Sequence, residues 1–240
     1  MQTTKRHSWL AYLLIFLTPI VGMALGVAVT FLLKINQSDY GNLVVNLFFL
    51  TACVVLILLF KFSPEDLGLK FIKEQAKMHV FLSLVIFTLY ILFYIFVIRI
   101  SAFKPFSAAT LWSLLTYLIV VIAEELYFRG IMYGFIQERF SARTALIVTS
   151  IIFGLFHASQ GLKGIVSKTF TGWLWGSLRY SSGMIFLLIF PIHFMYNSIW
   201  LLFVGNWENS PVWAIYALPA IEFLLGLIIV FVRNKQPEKA

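Results

Sequence analysis

Two acids and an arginine interrupt an apolar run: residues 114–133 read LLTYLIVVIAEELYFRGIMY, which holds Glu124, Glu125 and Arg129. A stretch of about 20 apolar residues spans a bilayer as a helix, and each charge near the bilayer centre costs about 2.5–3.5 kcal/mol on insertion scales. Three such charges must face protein or water. Glu125 and Arg129 are four positions apart, which puts them on one helix face where carboxylate and guanidinium can pair. Glu124, about 100° around the helix, is left free. One acid fixed by a cation beside one left free is an arrangement suited to a base that activates water. A buried ion pair that only locks two helices together would leave Glu124 without a role.

Two histidines lie in similarly apolar surroundings. Residues 153–157 read FGLFH and residues 191–197 read PIHFMYN, so His157 ends one apolar segment and His193 lies within another. A single membrane histidine is more often a helix–helix hydrogen bond than a ligand; two of them with a carboxylate point to chemistry. His193 and Asn197 are four apart and present an imidazole and an amide on one face, suited to positioning water or an oxyanion. At 1.5 Å per residue, Glu124 lies about 20 Å from Gln137, His157 about 21 Å from Arg143, and His193 about 16 Å from Ser182. With those three end residues on one side, the acid and both imidazoles reach a similar depth from three different segments.

A carboxylate with two imidazoles can bind a divalent metal with an open position, or activate water directly. Either route ends in hydrolysis. Glu124, His157 and His193 would be the ligands of such a metal, zinc being the natural choice. No cysteine joins the cluster and Ser159 lies beyond the end of its segment, so a covalent nucleophile has little support. The acid pair is not inside a His-Glu-x-x-His motif, and the soluble metalloprotease template does not apply.

The elements that must position these groups follow from composition. The 240 residues are 61% hydrophobic, 18% aromatic and only 12% charged, far from a soluble balance of roughly half apolar and a quarter charged. Apolar segments near 9–33, 43–62, 80–98, 110–136, 144–158, 165–180, 183–203 and 212–232 predict an all-α polytopic bundle of about eight spans with short loops and an active site within the membrane. The organisation read from this is 1–105 as N-terminal spans, 106–205 as a catalytic core and 206–240 as a final span and tail. The start Ser63-Pro64-Glu65-Asp66 predicts an N-cap and a short interfacial helix near 63–79. Trp9–Leu33 follows Lys5 and Arg6 like a signal peptide but is too long for one, so it reads as the first span. Cys53 has no second cysteine to pair with and reads as a small buried residue.

The net charge of +8 is spread singly between apolar runs, a topology signal rather than a nucleic-acid face. Under eight alternating spans with the N-terminus inside, twelve Lys and Arg fall on the cytoplasmic side and five outside, so both termini are expected in the cytoplasm. Lys163, Lys168, Trp173 and Trp175 read as interfacial anchors, and Arg179 with Tyr180 as a membrane boundary.

In order, Glu124-Glu125-x-x-x-Arg129, Phe153-x-x-x-His157 and His193-x-x-x-Asn197 resemble the three motifs of the CAAX prenyl protease and bacteriocin-processing family of intramembrane proteases, often called the Abi family. Leu67-Gly68-Leu69 is similar to an element that often precedes that family's core. The resemblance covers about residues 110–205. It implies an endopeptidase that cleaves a membrane-associated peptide or protein, with Glu124 activating water alongside His157. His193 and Asn197 would bind or stabilise the scissile carbonyl, and Arg129 would anchor Glu125. The family's motifs serve a zinc site or a metal-free glutamate mechanism equally. The small size suits bacterial members, and hence a bacterial plasma membrane, with lipid and a peptide as partners and no nucleic acid. Two other classes remain open at the level of residues: a non-catalytic bacteriocin-immunity or chaperone-like membrane protein, and a small transporter or proton relay.

Overall fold

A computed structural model describes residues 8–36, 38–205 and 213–234. Helices α1 (Trp9–Leu32) and α2 (Asp39–Phe60) form an antiparallel pair, followed by α3 (Lys73–Phe93), which a π-helical turn extends through Ile98. A long rod comprises α4 (Ala108–Glu125), a π-helical segment Leu126–Met132 and α5 (Tyr133–Arg139). Helices α6 (Ala142–Phe156) and α7 (Gly161–Ser182) make a tight hairpin. A π-helical segment Leu188–His193 leads into α8 (Phe194–Leu202), and α9 (Ala214–Asn234) packs on α7. The two-residue strands β1 (Ala102–Phe103) and β2 (Phe203–Val204) pair antiparallel at one end of the bundle.

The helix starts follow local chemistry. Ser8, Ser38, Ser107 and Ser141 each accept a hydrogen bond from a backbone N–H three residues on, capping α1, α2, α4 and α6. Between α1 and α2, Gly22 and Gly26 stand one turn apart. A Cβ on either would lie within 3 Å of Ala52 or Val45, so the two glycines set the approach of the pair. In lipid, such close backbone packing and interhelical hydrogen bonds drive helix association, because apolar side chains are as well solvated by acyl chains as by each other. The distribution of residues agrees: Leu58, Phe81, Leu224 and Phe231 face outward, while Glu125, Arg129, His193 and Glu222 are buried.

The protein is an all-α membrane bundle. Among the described residues, five helices are long and apolar enough to cross: Trp9–Leu32, Tyr40–Phe60, Lys73–Ile98, Ala108–Arg139 and Tyr216–Arg233. The predicted segments 144–158 and 165–180 form a pair of helices bent by 57° at the break around His157, the shape of a broken span or a re-entrant loop, while Leu188–Leu202 is a shorter apolar helix. The difference from eight independent spans arises because α7 carries Lys163, Lys168, Thr169, Thr171 and Arg179, and because residues 183–193 are broken by Gly183 and Pro191. Lys5, Arg6, Lys235 and Lys239, which weighed in the orientation count, lie outside the described residues.

The interfacial helix expected over 63–79 is instead one capped turn and a separate helix start. The Ser63 Oγ accepts from the Asp66 N–H at 3.2 Å and Asp66 Oδ2 accepts from the Ser63 N–H at 2.9 Å, a reciprocal capping box. Gly68, at φ +71°, then ends the turn, and helix resumes at Lys73. Arg179 is the reason the turn stays where it is. Rather than marking a membrane boundary, its side chain is buried, donating to the carbonyls of Glu65 at 3.1 Å, Asp66 at 2.9 Å and Gly183. A Cβ at Gly68 would lie 2.8 Å from the Arg179 guanidinium carbon. Gly68→Ala is therefore expected to destabilise the protein by about 1–2 kcal/mol from the left-handed backbone alone, read as a lower midpoint of thermal unfolding in detergent.

Candidate active site

The acid pair sits where α4 gives way to a π-helical segment, a widened turn frequently associated with functional sites. Glu125 is wholly buried, and Arg129, one turn on, donates from Nη1 to its Oε1 at 2.9 Å. The guanidinium is sandwiched by aromatic rings, 4.3 Å from the centroid of Phe153 and 5.4 Å from that of Trp175. Such contacts stabilise a cation deprived of water. A second nitrogen, Nη2, reaches the Gly172 carbonyl at 3.5 Å.

His193 is delivered from the opposite side. Phe190 leaves helical geometry (φ −140°, ψ 124°) and Pro191 follows, so the chain enters α8 at a new angle with His193 at its start. The imidazole bridges the two acids: Nδ1 is 2.8 Å from Glu125 Oε1 and Nε2 is 3.6 Å from Glu124 Oε2. Glu125 Oε1 already accepts from Arg129 and is an acceptor, so Nδ1 carries the hydrogen. Asn197 Nδ2, 3.0 Å from Nε2, donates to the remaining lone pair. The second N–H of that amide stays available, and the Glu124 carboxylate, partly exposed at 18%, faces the same space.

His157 caps the C-terminus of α6 at the bend. Its Nδ1 donates to the Phe153 carbonyl at 2.8 Å, which leaves Nε2 as a lone-pair acceptor. Phe153 packs against both imidazoles, with ring centroids 4.7 Å from His157 and 6.5 Å from His193. Glu124 and His193 both act electrostatically on His157, so all three share one neighbourhood. The structure thus brings Glu124, Glu125, Arg129, His193 and Asn197 into direct contact and sets His157 beside them across Phe153.

Two residues expected at the membrane interface lie inward. Trp175 is completely buried and its ring lies 4.2 Å from the His193 imidazole; Lys168 sits over the Tyr196 ring at 4.5 Å. Both project from the α7 face turned to the site, which hydropathy alone does not distinguish from a lipid-facing one. A second buried polar cluster escaped sequence reasoning. Glu222 of α9, fully buried, accepts from Tyr90 Oη at 2.6 Å and from Thr171 Oγ1 at 2.9 Å, and Tyr90 Oη accepts from Trp175 Nε1 at 2.9 Å. The available signal was Glu222 itself, the one acid in the apolar run 212–232.

Among the described residues, no three His, Cys, Asp or Glu side chains are grouped so as to hold a metal ion. Of the Glu124, His157 and His193 set expected as zinc ligands, the His157 Nε2 keeps its lone pair, and the His193 Nε2 is engaged by Asn197 Nδ2 at 3.0 Å.

A helical membrane bundle thus encloses a carboxylate–imidazole–guanidinium centre. Residues 105–199 match the Rce1-like family, described as type II CAAX prenyl endopeptidase Rce1-like. That segment, which holds all six site residues, is similar to this family over those residues. No curated protein matches the sequence.

Proposed function

We propose that the protein is an intramembrane endopeptidase that hydrolyses a peptide bond of a membrane-associated peptide or protein by glutamate-activated water, without a metal in the step. The observation that carries this is the position of Glu124: a partly accessible carboxylate, 3.6 Å from an imidazole whose other nitrogen is tied to a buried ion pair. Glu124, with the His157 Nε2 lone pair beside it, takes a proton from water as the oxygen attacks the carbonyl carbon. The free N–H of Asn197 is placed to stabilise the oxygen that becomes negative. When the tetrahedral intermediate collapses, Glu124 returns the proton to the departing amine, and the carbon–nitrogen bond breaks to give a carboxylate and an amine. His193 is the scaffold of this centre, since Glu125 and Arg129 lock its Nδ1–H and its Nε2 orients the Asn197 amide.

The test is cleavage of a prenylated peptide ending in a CAAX box, and of unmodified membrane peptides, by purified protein with and without a chelator. Cleavage that survives chelation supports the metal-free route; loss that zinc restores would reassign the base. Asn197→Ala is expected to reduce kcat by about 10²–10³-fold, the usual cost of removing one oxyanion donor, with little change in KM. Activity unaffected by that substitution would remove Asn197 from the chemistry.

A further inference from the structure

Trp175, which lies against His193, is itself backed by two helices outside the family-matched segment. Tyr90 lies on α3 and Glu222 on α9, on either side of residues 105–199 in sequence, yet they are joined by a 2.6 Å hydrogen bond. From Tyr90 Oη the next bond runs to Trp175 Nε1 at 2.9 Å, and the Trp175 ring lies 4.2 Å from the His193 imidazole, tilted by 43°. Tyr196, on the same helix as His193, packs edge-on against both Tyr90 and Trp175, at 5.0 and 5.3 Å. The polarity of the chain is consistent along its length. The indole donates to the phenol oxygen, the phenol donates to one carboxylate oxygen, and Thr171 fills the other.

We infer that Glu222, acting through Tyr90 and Trp175, is a positioning residue that holds the His193 imidazole in the plane where it bridges Glu124 and Glu125. A buried carboxylate on a membrane helix is costly and is retained where it does something. A network that only tied α3, α7 and α9 together would serve with any satisfied partners. This one ends on the face of the imidazole on which the site is built. The imidazole has two hydrogen-bonded edges, but bonds within the ring plane do not by themselves prevent rocking about the axis joining them; the indole against its face does. Rotation of the indole is in turn restricted by its single N–H bond to Tyr90. Small displacements of such groups carry large kinetic cost, because a shift of about 1 Å can reduce rate about 100-fold.

Tyr90→Phe removes one hydroxyl and keeps the ring, so it tests the link with minimal disturbance of packing. Glu222→Leu removes the anchor, and Glu222→Gln retains an acceptor for the Tyr90 hydroxyl. The primary readout is the imidazole nitrogen resonances of nitrogen-labelled histidine in the full-length protein in micelles, with His193 assigned by substitution. The expected result is that Tyr90→Phe and Glu222→Leu shift the His193 signals, that Glu222→Gln largely preserves them, and that His79, bonded to Ser182 Oγ at 2.9 Å, is unmoved. Unchanged His193 signals in Tyr90→Phe overturn the inference, and so does a shift of both histidines together with a lowered unfolding midpoint. The kinetic consequence rests on the proposed hydrolysis: Tyr90→Phe should lower kcat roughly 10- to 100-fold with KM nearly constant. Because the resonances need no substrate, failure of the positioning claim is distinguishable from failure of the protease reading.

Discussion

Glu124→Gln is expected to lower peptide cleavage by about 10²–10⁴-fold, the range that a positioned general base contributes, while leaving the protein folded. The two halves of that expectation have separate structural causes. The amide is nearly isosteric with the carboxylate but cannot take a proton from water, so the chemical step loses its base. Folding should survive because Glu124 is not part of the buried ion pair. Arg129 is held by Glu125, and the 3.6 Å approach of Glu124 to His193 Nε2 is longer than a hydrogen bond. The unfolding midpoint should therefore stay close to that of the parent, and KM should change little. A variant with unaltered kcat would remove Glu124 from the mechanism.

The parts of this centre that were legible in the sequence are those that a single helix face carries. Glu125 with Arg129 and His193 with Asn197 are both four apart, and the structure shows each in contact because residues four apart share one face of a helix. The charges in an apolar run likewise announced a polar interior. What could not be read was how the segments meet. His193 touching both acids depends on the break at Phe190–Pro191, and the inward face of α7 depends on the bend after His157, neither of which has a period in the sequence. Trp175 shows the same limit, since an interfacial and a buried tryptophan look identical until the helix is oriented. Glu222 was different. Its isolation among apolar residues was visible, but no motif partner stood four residues away, because its partners Tyr90 and Thr171 come from two other helices.

Arg129→Met is expected to be the most damaging single substitution, costing about 3–5 kcal/mol of stability, the usual result of leaving one member of a buried pair uncompensated. Arg129 and Glu125 are 1% and 0% exposed, so neither charge can recover water when the other is lost. Glu125 Oε2 already has no protein hydrogen-bond partner among the described residues, and removal of the guanidinium would leave Oε1 with only the His193 Nδ1–H. Met keeps much of the apolar stem against Phe153 and Trp175, so the loss reports the charge rather than a cavity. Neutralising both partners makes the argument decisive. In Glu125→Gln/Arg129→Met neither charge of this buried pair remains, and much of the stability should return, as buried pairs replaced together are often close to neutral. Activity should not return with it, because a neutral amide at position 125 is a weaker acceptor for His193 Nδ1–H and no longer requires the tautomer that orients Asn197. Thermal unfolding in detergent and peptide cleavage, measured on the same preparations, separate the two effects. Recovery of both in the double variant would reduce the ion pair to a packing device and leave Glu124 without the oriented imidazole that its role demands.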